Sequence, residues 1–229
     1  MTDVLAHRGP DGAGIHALGP AMFGHRRLAI RDLTESGRQP MLDPDGDIMV
    51  TFNGEIYNDA ALRREIEAQS DYRFRTRCDT EILPIGWKLW GAGLFERLQG
   101  MFAIAIWDRT RNQLVLARDP VGIKPLYYAQ QADAVLFSSE LKGILASGRV
   151  RSTIDPRAFH AYLAAGYCNV GDSLVAGVSQ IPPGPTASFL SMRLRLDHTG
   201  AQLVAVRFRA PRSLGTRFTK FWQRRAGSY

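Results

Sequence analysis

The sequence predicts an α+β protein built as a layered sandwich. The run Met101-Phe102-Ala103-Ile104-Ala105-Ile106-Trp107 is apolar without interruption, as in a strand buried on both faces. Few of the other strand-like runs alternate cleanly between apolar and polar residues, which is expected where helices cover layered sheets. No internal repeat and no low-complexity segment points to another architecture.

The elements follow in chain order. Strands are predicted over 22–30, 48–53, 72–77, 101–107, 113–118, 126–129 and 135–138. Arg109-Thr110-Arg111-Asn112 joins two of them as a hairpin. Asn58 or Asp59 caps a helix running to residue 68 with Leu62 and Ile66 on one face. Asp79-Thr80 opens a second helix to residue 89, in which Pro84 predicts a kink. Asp155 at the N-cap with Pro156 behind it starts a third, to residue 164.

A chain of 229 residues with 45% hydrophobic and 22% charged residues has material for one sizeable core. The N-terminus lacks the apolar stretch of a signal peptide and no run reaches membrane-spanning length, so a cytoplasmic protein without a membrane partner is expected. Cys78 and Cys168 form no metal spacing and no disulfide framework, in keeping with a reducing compartment.

The net charge of +7 resembles a nucleic-acid signal until it is mapped along the chain. Residues 1–184 carry 20 Lys and Arg against 21 Asp and Glu, whereas residues 185–229 carry 9 against 1. The composition breaks at Gly184, which divides a domain over 1–184 from a basic tail over 185–229. Three origins compete for that tail: an arm for nucleic acid or membrane, a small module, or read-through in a shifted frame. The third is preferred, because its apolar residues sustain no period of 2 or 3.6, and no nucleic-acid partner is then expected.

Four clusters carry candidate chemistry. His7-Arg8-Gly9-Pro10-Asp11-Gly12 contains strong turn chemistry and on its own reads as a tight loop. His25-Arg26-Arg27-Leu28-Ala29-Ile30 reads equally as solvated arginines on an edge strand. Asn53-Gly54-Glu55 ends an apolar strand in a side-chain amide and an unhindered backbone N–H, two donors suited to one developing oxyanion. Thr76-Arg77-Cys78-Asp79-Thr80-Glu81 also reads as a plain helix N-cap at Asp79. Together they fit a free amino acid: Arg27 supplies a forked cation for its carboxylate, Asp79 an anion for its ammonium, and Asn53 with Gly54 polarises a side-chain carbonyl.

These clusters, with Leu98-Gln99-Gly100-Met101-Phe102-Ala103, Arg118-Asp119-Pro120-Val121-Gly122-Ile123-Lys124-Pro125-Leu126-Tyr127-Tyr128 and Ser138-Ser139-Glu140-Leu141-Lys142, form seven collinear motifs. In order and spacing they resemble the glutamine-hydrolysing half of asparagine synthetases, a class II (N-terminal-nucleophile) glutamine amidotransferase domain, over about residues 5–184. The resemblance implies an αββα sandwich of two mostly antiparallel sheets, here lacking its first strand. It implies a glutaminase that passes ammonia to a separate ATP- and magnesium-dependent domain for the amidation of aspartate, with no cofactor in this chain and room for a homodimer.

Carried over by position, Arg27 binds the glutamine α-carboxylate, Asp79 its α-amino group, and Leu28, Ala29, Ile30, Arg31 and Glu55 line the same pocket. Asn53 and Gly54 form the oxyanion hole. Arg77 and Cys78 stand where the family has glycine and serine. The family nucleophile is a cysteine at the mature N-terminus whose own α-amine is the base. The sequence opens Met1-Thr2-Asp3 instead, and Thr2 lies only five residues before His7, so glutamine binding without turnover is expected. A non-catalytic glutamine-binding module and an amidotransferase for another acceptor are the alternatives. After Val178-Ser179-Gln180-Ile181-Pro182-Pro183-Gly184 the expected synthetase sequence does not follow.

Overall fold

A computed structural model describes residues 1–183, 188–197 and 200–209, with side chains described for 1–183 and 189–193. Eleven strands form along these residues: β1 (Gly12–Leu18), β2 (Ala21–Arg27), β3 (Met41–Leu42), β4 (Ile48–Ile56), β5 (Gly100–Asp108), β6 (Gln113–Arg118), β7 (Tyr127–Gln130), β8 (Val135–Ser138), β9 (Ser179–Gln180), β10 (Ser188–Asp197) and β11 (Gly200–Arg209). The helices are α1 (Asp59–Gln69), α2 (Ile82–Trp90), α3 (Leu94–Arg97), α4 (Leu141–Leu145) and α5 (Pro156–Ala165).

A six-stranded antiparallel sheet in the order β11-β10-β6-β5-β4-β3 forms the centre. One of its faces presents Ile48, Val50, Phe52, Ile56, Phe102, Ile104 and Ile106 to α1, α2 and α3, where Leu62, Ile66, Ile82, Leu83 and Phe95 complete a core. Its other face presents Met49, Ala103, Ala105, Trp107, Leu114 and Leu116 to Phe23 of β2 and to Leu126 and Tyr128, next to and within β7. The three-stranded sheet β8-β7-β9 in turn packs Ala129 of β7, with Val178 just before β9, on Ile144 of α4. The layers are therefore helix, sheet, sheet, helix, as the sequence predicts, and β5 is buried on both faces.

Several local expectations change. Residues 72–77, read as a strand, are extended but lie in no sheet, because their donors go to a carboxylate instead of a neighbouring strand. The N–H groups of Arg75 and Thr76, the Thr76 hydroxyl and the Tyr72 hydroxyl all donate to Glu81, at 2.6–2.8 Å. Burial pushes the Glu81 carboxyl up, but hydrogen bonds from Thr76 and Tyr72 outweigh it and hold the group below its usual range.

Pro84 falls in the first turn of α2, where the missing N–H has no intrahelical partner to lose, so the expected kink is not required. Asn58 precedes α1 without capping it, since its side chain donates to Arg97 O at 2.9 Å and accepts from Gln99 N at 3.0 Å. Asp79 does not cap α2 either, for a reason given below. Asp155 does cap α5, accepting the Arg157 and Ala158 N–H groups at 2.9 and 3.3 Å. Strand β2 stops at Arg27, so 28–30 is loop.

Residues 188–197 and 200–209, within the basic stretch after Gly184, form a hairpin, and β10 extends the central sheet by pairing Ser188 to Arg193 with Arg118 to Gln113. The rest of the tail lies outside the described residues. Among the described residues no helix is long and apolar enough to cross a membrane.

Candidate functional site

The free edge of β4 organises the site. Strand β3 pairs only with Met49 and Val50, which leaves the outward N–H and C=O groups of Phe52, Gly54 and Ile56 without a partner strand. Side chains take that strand's place at both ends. At Phe52 the N–H donates to Gln39 Oε1 at 2.6 Å and the carbonyl accepts from His25 Nε2 at 3.2 Å. At Ile56 the N–H donates to Asp79 Oδ2 at 2.9 Å and the carbonyl accepts from Arg31 Nη1 at 3.1 Å.

Gly54 sits between these two filled positions, and strand alternation turns its N–H to the same edge. A Cβ here would collide with the Met101 carbonyl oxygen and stand 2.7 Å from Phe102 Cα, so only glycine lets β4 lie this close to β5. Asn53 projects from the face that carries Met49, toward the second layer. Its Nδ2 is buried and has no hydrogen-bond partner among the described residues. A buried amide without a partner carries a desolvation penalty of about 1–3 kcal/mol, which is tolerated where a ligand oxygen completes the bond. His25 Nδ1 and Trp107 Nε1 are the other such side-chain atoms among the described residues. Nothing in the structure explains the Trp107 N–H.

His25 must carry its proton on Nε2, because the Phe52 carbonyl only accepts. Burial lowers its pKa to about 4 against the upward pull of that bond, with the Arg27 charge lowering it further. Arg27 itself donates from Nη1 to Thr34 O at 2.7 Å and from Nη2 to Asp32 O, which folds the 28–34 loop around the guanidinium. It also opens on a polar cleft of about 160 Å³ lined by Asp11, Gly12, Ala13, Gly14, Glu35, Arg38 and Gln39. Asn53, Gly54 and Asp79 do not line that cleft, and Gln39 is the residue shared by its wall and the β4 edge.

Asp79 is 4% exposed, and burial raises its carboxyl pKa although the Ile56 N–H and Arg31 pull the other way. Arg31 stands 3.7 Å from Asp79 Oδ2 and 3.1 Å from Asp59 Oδ1. Leu28 and Ile30 are exposed, while the intervening Ala29 N–H donates to Asp11 Oδ2 at 2.8 Å. Glu55 lies on the Asn53 side of β4 and adds a negative charge near Arg31. The structure thus brings Arg31, Asn53, Gly54, Glu55 and Asp79 to one part of β4, whereas Arg27 opens on the cleft that meets this strand edge at Gln39, and Leu28 and Ile30 are exposed.

The two thiols are poor nucleophiles. Cys78 is buried, with Sγ 3.2 Å from Thr80 Oγ1, and burial raises its pKa; burial and Asp172 raise that of Cys168. Thr2 packs against Gly24 and accepts from Arg26 Nε at 3.2 Å, on the face of β2 opposite His25. Among the described residues no three His, Cys, Asp or Glu side chains are grouped to hold a metal ion.

Two other motifs serve the scaffold. Asp119 accepts four backbone N–H groups, from Phe102, Val121, Ile123 and Lys124, while Arg118 donates to the carbonyls of Gly122, Lys124 and Ile181. Glu140 joins His7, Arg8 and Lys142, tying the N-terminal turn to α4.

Residues 1–198 match the glutamine amidotransferase domain family, to which the chain belongs. It is 36% identical over 192 residues to asparagine synthetase [glutamine-hydrolyzing] 3 of Bacillus subtilis (strain 168), covering 82% of this chain and 31% of that protein. It is 37% identical over 221 residues to a putative asparagine synthetase [glutamine-hydrolyzing] of Mycobacterium tuberculosis (strain ATCC 25618 / H37Rv), covering 91% of this chain and 33% of that protein. The chain spans about a third of the length of these relatives. A solved glutamine phosphoribosylpyrophosphate amidotransferase from B. subtilis shares the fold, with a TM-score of 0.55 and 19% identity over 89% of this chain and 44% of that one.

Proposed function

We propose that this chain is the glutamine-binding, ammonia-releasing part of an asparagine synthetase-type amidotransferase. The carrying observation is the buried Asn53 Nδ2, which has no partner among the described residues and stands next to the outward Gly54 N–H. An amide carbonyl between these donors is polarised in the ground state. When a nucleophile adds to its carbon, the charge that develops on oxygen meets donors already in place, the arrangement that gives oxyanion holes their effect.

Arg27 takes the α-carboxylate, Asp79 the α-ammonium, and Arg31 with Glu55 and the 28–30 loop borders the side chain. Asp79 Oδ2 is engaged by Ile56 and Arg31, while Oδ1 accepts only the long contact from Cys78 Sγ at 3.8 Å among the described residues, which a ligand ammonium displaces. The ammonia is used elsewhere in a protein of the relatives' length, in an ATP- and magnesium-dependent amidation of aspartate. Because neither Cys78 nor Cys168 is an activated thiol, a polypeptide of these 229 residues binds glutamine without turning it over.

Titration calorimetry tests the reading. Saturable, stoichiometric glutamine binding is expected, with loss on Arg27→Ala and on Asp79→Ala and no ammonia release. Absence of saturable binding by the unmutated chain overturns it.

A further inference from the structure

Phe52 is held by side chains on both of its outward backbone groups, and neither holder is among the residues assigned above to the ligand, although Gln39 also lines the cleft on which Arg27 opens. Gln39 is 7% exposed; its Oε1 accepts the Phe52 N–H at 2.6 Å while its Nε2 donates to Thr80 Oγ1 at 3.2 Å. His25 closes the other side through Nε2 and the Phe52 carbonyl at 3.2 Å. The Phe52 carbonyl belongs to the peptide plane that leads into Asn53. Fixing that plane fixes the backbone N–H side of Asn53, and the pairing of Asn53 with Ala103 on β5 carries the orientation on to the Gly54 N–H. Left to water, a free strand edge fluctuates, and two donors on it converge only part of the time.

We propose that His25 and Gln39 are positioning residues that aim Asn53 Nδ2 and the Gly54 N–H at a single ligand oxygen. The inference rests on the glutamine reading for the identity of that oxygen. Each residue also connects the donor pair to another part of the pocket. His25 lies two residues before Arg27 on β2, and Gln39 reaches, through Thr80, the turn that carries Asp79. The amide end of the ligand is thereby held in register with its carboxylate and ammonium ends. Histidine at 25 and glutamine at 39 are matched to their tasks, one presenting a lone N–H to a carbonyl and the other an acceptor and a donor on one planar group.

The test compares L-glutamine with L-norleucine, which has the same chain length but no side-chain carbonyl oxygen, on the 229-residue protein by calorimetry. In parallel, the Asn53 side-chain amide and the Gly54 backbone amide are followed by ¹⁵N–¹H NMR. His25→Leu is expected to weaken glutamine about ten-fold, equivalent to about 1.4 kcal/mol, and to leave norleucine within about two-fold. His25→Gln, which returns an N–H near the position of Nε2, restores glutamine and the NMR signals together. Gln39→Met reproduces the selective loss and carries the same test if His25→Leu does not fold. Equal weakening of both amino acids, or no restoration by His25→Gln, overturns the proposal.

If the unmutated protein binds no glutamine, the glutamine reading fails and the NMR arm alone decides. Movement of both amide signals in His25→Leu, reversed in His25→Gln, supports positioning, and unmoved signals overturn it.

Discussion

Asp79 Oδ2 accepts the Ile56 backbone N–H at 2.9 Å, so the carboxylate assigned to the ligand's ammonium also closes the end of the β4 edge. The two roles separate by substitution. Asp79→Ala leaves a buried N–H without an acceptor and should destabilise the protein by about 1–3 kcal/mol as well as abolish glutamine binding. Asp79→Asn keeps an oxygen for Ile56, so its thermal midpoint should stay near that of the parent while calorimetry shows binding reduced at least ten-fold.

Gly54 allows no side chain for a different reason. Gly54→Ala pushes β4 off β5 at Met101 and Phe102, a backbone collision that no rotamer relieves. A loss of about 2 kcal/mol or more is expected, read as a lower denaturant midpoint at unchanged slope.

Acid sensitivity should report on His25. Its pKa falls from 6.5 in the unfolded chain to about 4 in the folded one, so between these values the unfolded state binds the extra proton. Stability contributed by the neutral ring is complete above pH 6.5 and drains away as pH falls toward 4, by at most about 1.4 kcal/mol per pH unit. The His25→Gln variant should lack this component, and thermal unfolding of the two proteins from pH 7 to 4.5 gives the difference.

Glu140 predicts a smaller, local effect. Burial raises its pKa, but hydrogen bonds from Arg8, Lys142 and His7 outweigh it and bring the group to about 2. Its contribution is therefore present above the unfolded value of 4.5 and lost as pH falls toward 2. The three partners are 35–51% exposed, and screening keeps the contribution below about 1 kcal/mol. Glu140→Gln should leave the global midpoint almost unchanged yet speed amide hydrogen exchange in the Asp3–Arg8 turn.

Local patterns made much of this protein legible. Asp155-Pro156 announces α5, Leu62 and Ile66 mark the buried face of α1, and the apolar run through Trp107 marks the doubly covered β5. Asn53-Gly54 stands out because an amide and a glycine break an apolar run, but the strand expected to stop at 53 continues through them to Ile56, since Gly54 to Ile56 stay paired with Phe102 to Gly100 of β5. Residues 72–77 misled because Tyr, Phe and Thr alternating with Arg suit a strand equally well when the partner is the Glu81 carboxylate. The sequence places His25 in a candidate cluster but gives it no role, and does not single out Gln39, since a polar residue on a strand and one before a proline carry no local sign of a distant backbone partner. The only available signal was that His25 shares a short strand with Arg27.

The sequence by itself determined the layered fold class, the apolar strand that leads into Asn53-Gly54 and membership of a glutamine-handling family, because all three rest on residue order and local propensity. Tertiary structure alone decided which backbone groups at that strand end stay open. A free strand edge has its hydrogen bonds completed by whatever packs beside it, and here Gln39, His25, Asp79 and Arg31 arrive from 13 to 27 residues away to fill Phe52 and Ile56 and leave Gly54 between them.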